Sequence, residues 1–277
     1  MESAQANYTP PVDQLLTYGE AEGSNPTDWP NYLELGIGPE HVPNLIRMMG
    51  DKELSNEDAD GQQIWAPLHA WRTLGQLRAE TAIEAIIKTQ ETSEDTDWAL
   101  TEIPYVLGMI GPAALPALTA RLTDISYDDE QRFSIIGDIE KIGNQWPEAR
   151  DTCVEILTKQ LELFEENDPE TNGFLILALI DLHATEAAPL VERAYAARSV
   201  DPMVVGDWND AQVEFGLLTA EEVEQRRASI ISQAPTRASL DSSVFPQVPK
   251  GTRQHSSGDK KTKKKMAKQS RKKNRKR

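Results

Sequence analysis

Residues 107–122 read LGMIGPAALPALTARL. Leu107, Ile110, Leu115, Leu118 and Leu122 keep an apolar rhythm suited to a buried helix, yet Gly108, Gly111 and Pro112 break it. Glycine adopts the left-handed backbone that closes a helix at no steric cost. Proline suits the first helical turn, where its missing N–H has no partner to lose. The stretch therefore predicts a stop and an immediate restart: one helix ending at Gly108, a second opening at Pro112, the two forming a hairpin.

The same interruption recurs along the chain. Leu35-Gly36, Leu74-Gly75, Leu107-Gly108, Ile142-Gly143 and Leu182-His183 each precede a new helical pattern, at spacings of 39, 33, 35 and 40 residues. Recurrence in this range marks stacked helical repeats. Ile64, Leu68, Trp71 and Leu74 lead into one turn, and Ala82, Ile83, Ile86 and Ile87 follow it. Leu100, Ile103, Val106 and Leu107 lead into the next. Phe133, Ile136, Ile139 and Ile142 are followed by Val154, Leu157 and Leu161. Phe174, Leu177, Leu179 and Leu182 are followed by Leu190, Val191 and Ala194. These are one-faced helices. A lone hairpin leaves most of that face wet. Each large aliphatic side chain gains roughly 1.5–3 kcal/mol on burial, so the hairpins are expected to stack.

The Leu-Gly pair, the small residue or proline after it, and the rhythm of Ala79-Glu80-Thr81-Ala82-Ile83 and Ala113-Ala114-Leu115-Pro116-Ala117-Leu118 resemble HEAT-like repeats, especially the short subtype of bilin-lyase-related proteins. The resemblance covers about residues 31–200. It implies an all-α fold: an α-solenoid of about five hairpins, capped at both ends. The expected organisation is an N-terminal cap over 1–30, the array over 31–200, capping helices over 201–234, and a linker with a disordered basic tail over 235–277. Thr219 and Glu222 form a capping-box pattern at the start of the last helix.

Charge divides the chain more sharply than its net of −16 suggests. Residues 250–277 hold 14 Lys and Arg against one acid, Asp259, a net of +13; the remainder holds 15 basic against 44 acidic residues, a net of −29. The tail residues Lys260, Lys261, Lys263, Lys264, Lys265, Lys268, Arg271, Lys272, Lys273, Arg275, Lys276 and Arg277 are candidates for phosphate contact with RNA or DNA. They lack interleaved aromatic residues, so binding should be sequence-independent and salt-sensitive. The plainer alternative is a solvated tail. A zinc knuckle seen at the end of some helical proteins would need cysteines that this tail lacks, so no metal is carried over.

The loops between hairpins are acidic: Asp51, Glu53, Glu57, Asp58 and Asp60; Glu91, Glu94, Asp95 and Asp97; Asp124, Asp128, Asp129 and Glu130; Glu165, Glu166, Asp168 and Glu170. Stacking would align them as an edge for a basic ligand, the protein's own tail included. The competing explanation is that acids favour helix N-termini. Exposed positions on the second helices, Asn44, Arg47, Glu84, Lys88, Arg121, Glu155, Lys159 and Glu192, are the candidate partner-binding residues of a concave face; ordinary solvation explains any one of them equally well.

No catalytic constellation emerges. Cys153 cannot pair with a second cysteine, and it sits in the apolar half of its helix with no histidine in helical reach. The four histidines are scattered without metal-ligand spacing. Asn56–Gly61 opens like a calcium loop, but Pro67 stands where the bidentate Glu belongs. There is no His-Glu dipeptide of the kind that holds iron in helical-repeat hydroxylases. Trp65, Trp71 and Trp98 suit packing better than the base-binding wall of a helical-repeat glycosylase. No cofactor is expected. The N-terminal residues lack a secretory pattern and no run of 18 apolar residues exists, so a cytoplasmic location is expected, or a nuclear one in a eukaryote. The expected function is a non-enzymatic scaffold that binds a protein through its concave face or acidic edge. The alternatives are a nucleic-acid-associated accessory protein using the tail and, from the resemblance alone, a lyase or chaperone for a tetrapyrrole-bearing protein.

Overall fold

A computed structural model describes residues 8–23, 25–54, 61–92 and 96–233, and the fold is all-helical: among these residues there is no strand. The helices are α1 (Val42–Met49), α2 (Ala66–Gln76), α3 (Ile83–Thr92), α4 (Thr96–Ile110), α5 (Leu115–Leu122), α6 (Asp129–Gln145), α7 (Arg150–Leu161), α8 (Pro169–Asp181), α9 (Ala188–Ala196), α10 (Pro202–Val205), α11 (Trp208–Glu214) and α12 (Ala220–Gln233). The chain divides into two compact units, Met1–Arg226 and Arg227–Arg277. The basic tail lies outside the described residues.

In the first unit, α2 packs on α4, α4 on α6, α6 on α8 and α8 on α10. The intervening helices lie beside them, with α3 on α4, α5 on α6 and α7 on both α6 and α8. Between α4 and α5 the chain bends by 108°. Pro39, Pro112 and Pro147 each open a short 3-10 turn leading into the second helix of a pair. The missing proline N–H falls where no intrahelical acceptor exists.

The glycines act differently from the sequence expectation. Gly36 does close its helical turn in a left-handed conformation, φ +82°. Gly75, Gly108 and Gly143, however, lie inside α2, α4 and α6, with the chain turn three residues later. They serve close approach. A Cβ at Gly75 would stand 3.3 Å from the Val106 Cα, one at Gly108 2.8 Å from the Gln145 amide, and one at Gly143 2.6 Å from Leu182 Cδ2. The turn positions are Arg78, Gly111, Trp146 and His183, so the sequence alignment of His183 with those three glycines was three residues out of register.

Arg78 and His183 occupy left-handed backbone, at φ +50° and +53°. Each is the residue after the helix end in a Schellman cap: Arg78 N–H donates to the Gly75 carbonyl and Ala79 N–H to Leu74, and His183 and Ala184 donate likewise to Ile180 and Leu179. Those hydrogen bonds hold a conformation that costs a side-chain-bearing residue on the order of 1 kcal/mol.

Most of the expected core is buried: Leu68, Trp71, Leu74, Ile86, Ile103, Leu118, Ile139, Leu157, Leu179 and Val191 line one continuous cluster. Ile64, Leu100 and Leu177 do not join it and are each at least a third exposed. Trp65 and Trp98 meet edge to face, and Phe133 stacks on Phe174. Cys153 is buried, and burial pushes its thiol up to about 11, which leaves little thiolate at neutral pH.

A buried polar network fastens the N-terminal segment to α2. Arg72, fully buried, donates from Nε to Glu102 on α4 at 2.9 Å and from its terminal nitrogens to the Glu22 and Gly23 carbonyls. Trp71 Nε1 donates to the same carboxylate. Beside it, His69 lies 2.9 Å from the Gly19 carbonyl through Nε2, while Nδ1 meets the Tyr32 hydroxyl at 2.7 Å. The carbonyl can only accept, which assigns the proton to Nε2 and makes the Tyr32 hydroxyl the donor to Nδ1. Burial lowers the His69 pKa, favouring this neutral ring.

Candidate functional site

The eight partner-binding candidates fall on α1, α3, α5, α7 and α9, and the structure brings some of them together. Arg121 on α5 reaches back to α3, with Nη2 2.8 Å from Glu84 and Nε 2.9 Å from Glu91. Tyr127 donates its hydroxyl to the same Glu91. These bonds join two successive second helices. Glu155 and Lys159 form an i,i+4 pair on α7 at 2.6 Å. Arg47 stacks over the Tyr8 ring. Asn44 is half-buried, while Lys88 and Glu192 are exposed.

Between α5 and α7 lies a recess of about 560 Å³ that charge-based reading missed. Leu115, Pro116, Ala149 and Ile156 supply apolar surface; Pro112, Thr119, Thr152 and Glu148 complete the lining. Thr119 spends its hydroxyl on the Leu115 carbonyl. The Arg121 and Lys159 ion pairs belong to these same two helices. The signal was present in Pro116 and Ile156, apolar residues that fall outside the buried stripe of their helices, but the sequence reading took only charged and polar positions as candidates for contact.

Some of the acidic loop residues serve the helices they precede. Asp128 caps α6 through the Gln131 N–H, and Asp168 caps α8 through Glu170 N–H. Asp124 accepts from Ser126 N–H, and Asp129 from the Thr171 hydroxyl. Glu57, Asp58, Asp60, Glu94 and Asp95 lie outside the described residues, as do the twelve tail candidates. No helix among the described residues is by itself long and apolar enough to cross a membrane.

The chain matches no protein-family model, and no curated protein or solved structure matches it.

Proposed function

We propose that this protein is a helical-repeat scaffold of the HEAT-like kind, whose second helices present a groove to a segment of a partner protein. Two features support the repeat reading: first helices pack on first helices in chain order, and their turn residues Arg78, Gly111, Trp146 and His183 recur 33, 35 and 37 residues apart. The α5–α7 recess carries the binding reading, because its apolar floor of Leu115, Pro116, Ala149 and Ile156 offers burial to an apolar side chain. Glu148 in its lining favours a partner segment with apolar anchors and a basic flank.

The test is selection from a displayed peptide library on the full chain. Enrichment of apolar-anchored, basic-flanked peptides is expected, with binding lost in Thr119→Glu/Ile156→Glu at unchanged circular dichroism. Peptides that bind this double variant as well as the parent would overturn the groove assignment.

A second reading takes the +13 tail as a sequence-independent phosphate binder. Its signature is a steep fall of RNA or DNA affinity with salt, at roughly 0.7–0.9 log units of affinity per log unit of salt for each phosphate contacted, abolished by deleting residues 250–277. The tetrapyrrole alternative rests on resemblance alone.

A further inference from the structure

A second recess, of about 410 Å³, opens where the hairpin turns come together. Asn31, Leu33, Gly75, Gln76, Arg78, Met109, Gln145 and Trp146 line it. Its geometry follows from the turn register. Arg78 and Trp146 are turn residues two hairpins apart, and Gly111 is the turn residue between them. A Cβ at Gly111 would stand 2.5 Å from the Trp146 ring. The absent side chain lets the indole lie across the middle turn, where its Nε1 donates to the Gly108 carbonyl at 2.7 Å. The Arg78 guanidinium then sits 4.9 Å from the indole ring centre.

Arg78 is exposed and has no carboxylate or hydrogen-bond partner for its side chain among the described residues. Arg193 and Arg198 share that state among the described residues; what distinguishes Arg78 is its place in the recess beside the Trp146 ring. Arg72, Arg121 and Arg150 are all tied to acids. Gln145 is likewise exposed, and its amide is unpartnered among the described residues. The other amides are already engaged: Gln76 accepts from Tyr32 N–H and donates to the Pro30 carbonyl, and Asn31 donates to Glu34. The recess therefore offers two uncommitted polar groups over an apolar floor of Leu33, Met109 and the Gly75 backbone. A guanidinium fork matches a carboxylate bidentately. Stacking on Trp146 orders that fork before any ligand arrives. The volume falls in the range of small-ligand pockets.

We propose that this recess binds an organic carboxylate with an apolar body, the carboxylate on Arg78 and Gln145 and the body on Leu33 and Met109. The site is separate from the α5–α7 groove and does not depend on its assignment. A free acid and the C-terminal carboxylate of a peptide present the same chemistry.

The test uses the full-length chain labelled with nitrogen-15, with the Trp146 indole N–H resonance identified through Trp146→Phe. Phenylacetate is the free-acid probe, a short peptide ending in phenylalanine is the chain-end probe, and phenylacetamide and the amidated peptide are the neutral controls. Saturable movement of the Trp146 resonance by phenylacetate or the free-acid peptide is expected, with a Kd on the order of 1 mM. Whichever carboxylate binds more tightly identifies the source. The neutral controls and Arg78→Gly should bind at least about 10-fold more weakly. Glycine at position 78 relieves the left-handed backbone, so that variant keeps its fold. No movement at tens of millimolar, equal response to the neutral controls, or unchanged binding by Arg78→Gly would each overturn the proposal.

Discussion

Asp138 on α6 is fully buried, and among the described residues its carboxylate is served by a single donor, Gln90 Nε2 on α3, 3.2 Å from Oδ1, while Oδ2 has no hydrogen-bond partner. Burial pushes its pKa up to about 7, with the Gln90 hydrogen bond opposing weakly. In the unfolded chain an aspartate titrates near 3.9. Between about pH 4 and pH 7 the folded state therefore holds a proton that the unfolded state has released. Stability falls as pH rises through that window and levels off above it. A shift of about 3 units at 1.36 kcal/mol each gives a loss on the order of 4 kcal/mol across the window, as an upper value. Asp138→Asn keeps the Gln90 hydrogen bond and cannot ionise. Urea denaturation followed by circular dichroism should show the variant close to the parent at pH 4 and more stable by about 2–4 kcal/mol at pH 8. Only the difference between the two proteins matters, since other carboxylates titrate in both. A difference that stays constant from pH 4 to pH 8 would refute the reasoning.

The Arg72–Glu102 pair should be intolerant of one-sided change: Arg72→Leu leaves a buried carboxylate and should cost about 3–5 kcal/mol in urea unfolding, whereas Arg72→Met/Glu102→Leu should recover only part of it, since Trp71 Nε1 and the Glu22 and Gly23 carbonyls still lose their partners. Glycine substitutions should rank by what the new methyl meets. Gly111→Ala, which meets the Trp146 ring from a backbone at φ +93°, should lower thermal stability most. Among the three helical glycines Gly75, Gly108 and Gly143, Gly108→Ala, which meets the flexible end of Gln145, should lower it least. His183→Gly should instead gain up to about 1 kcal/mol in chemical denaturation by relieving its left-handed backbone. Cys153 should resist iodoacetamide in the native protein and react promptly in denaturant, as mass spectrometry of the alkylated chain would show.

The chain's apolar periodicity was enough to establish helices, their rough number and the prolines that open them, because helix formation and one-faced burial are local consequences of residue spacing. Residue order also separated a basic tail from an acidic body. It could not distinguish two uses of glycine. Gly36 and Gly111 relieve a backbone dihedral, whereas Gly75, Gly108 and Gly143 relieve contacts with residues that belong to the next helix or turn. That second use depends on which helix lies alongside, which no local pattern encodes. The same limit hid both recesses. Pro116 and Ile156 fall outside the apolar stripes of their helices, and only the gap between α5 and α7 gives them a shared surface. Arg78 looks like an ordinary surface cation until Gly111 lets Trp146 pass beneath it. Residue spacing marked most of the side chains that face inward; the contacts between hairpins decided which remain available to a ligand.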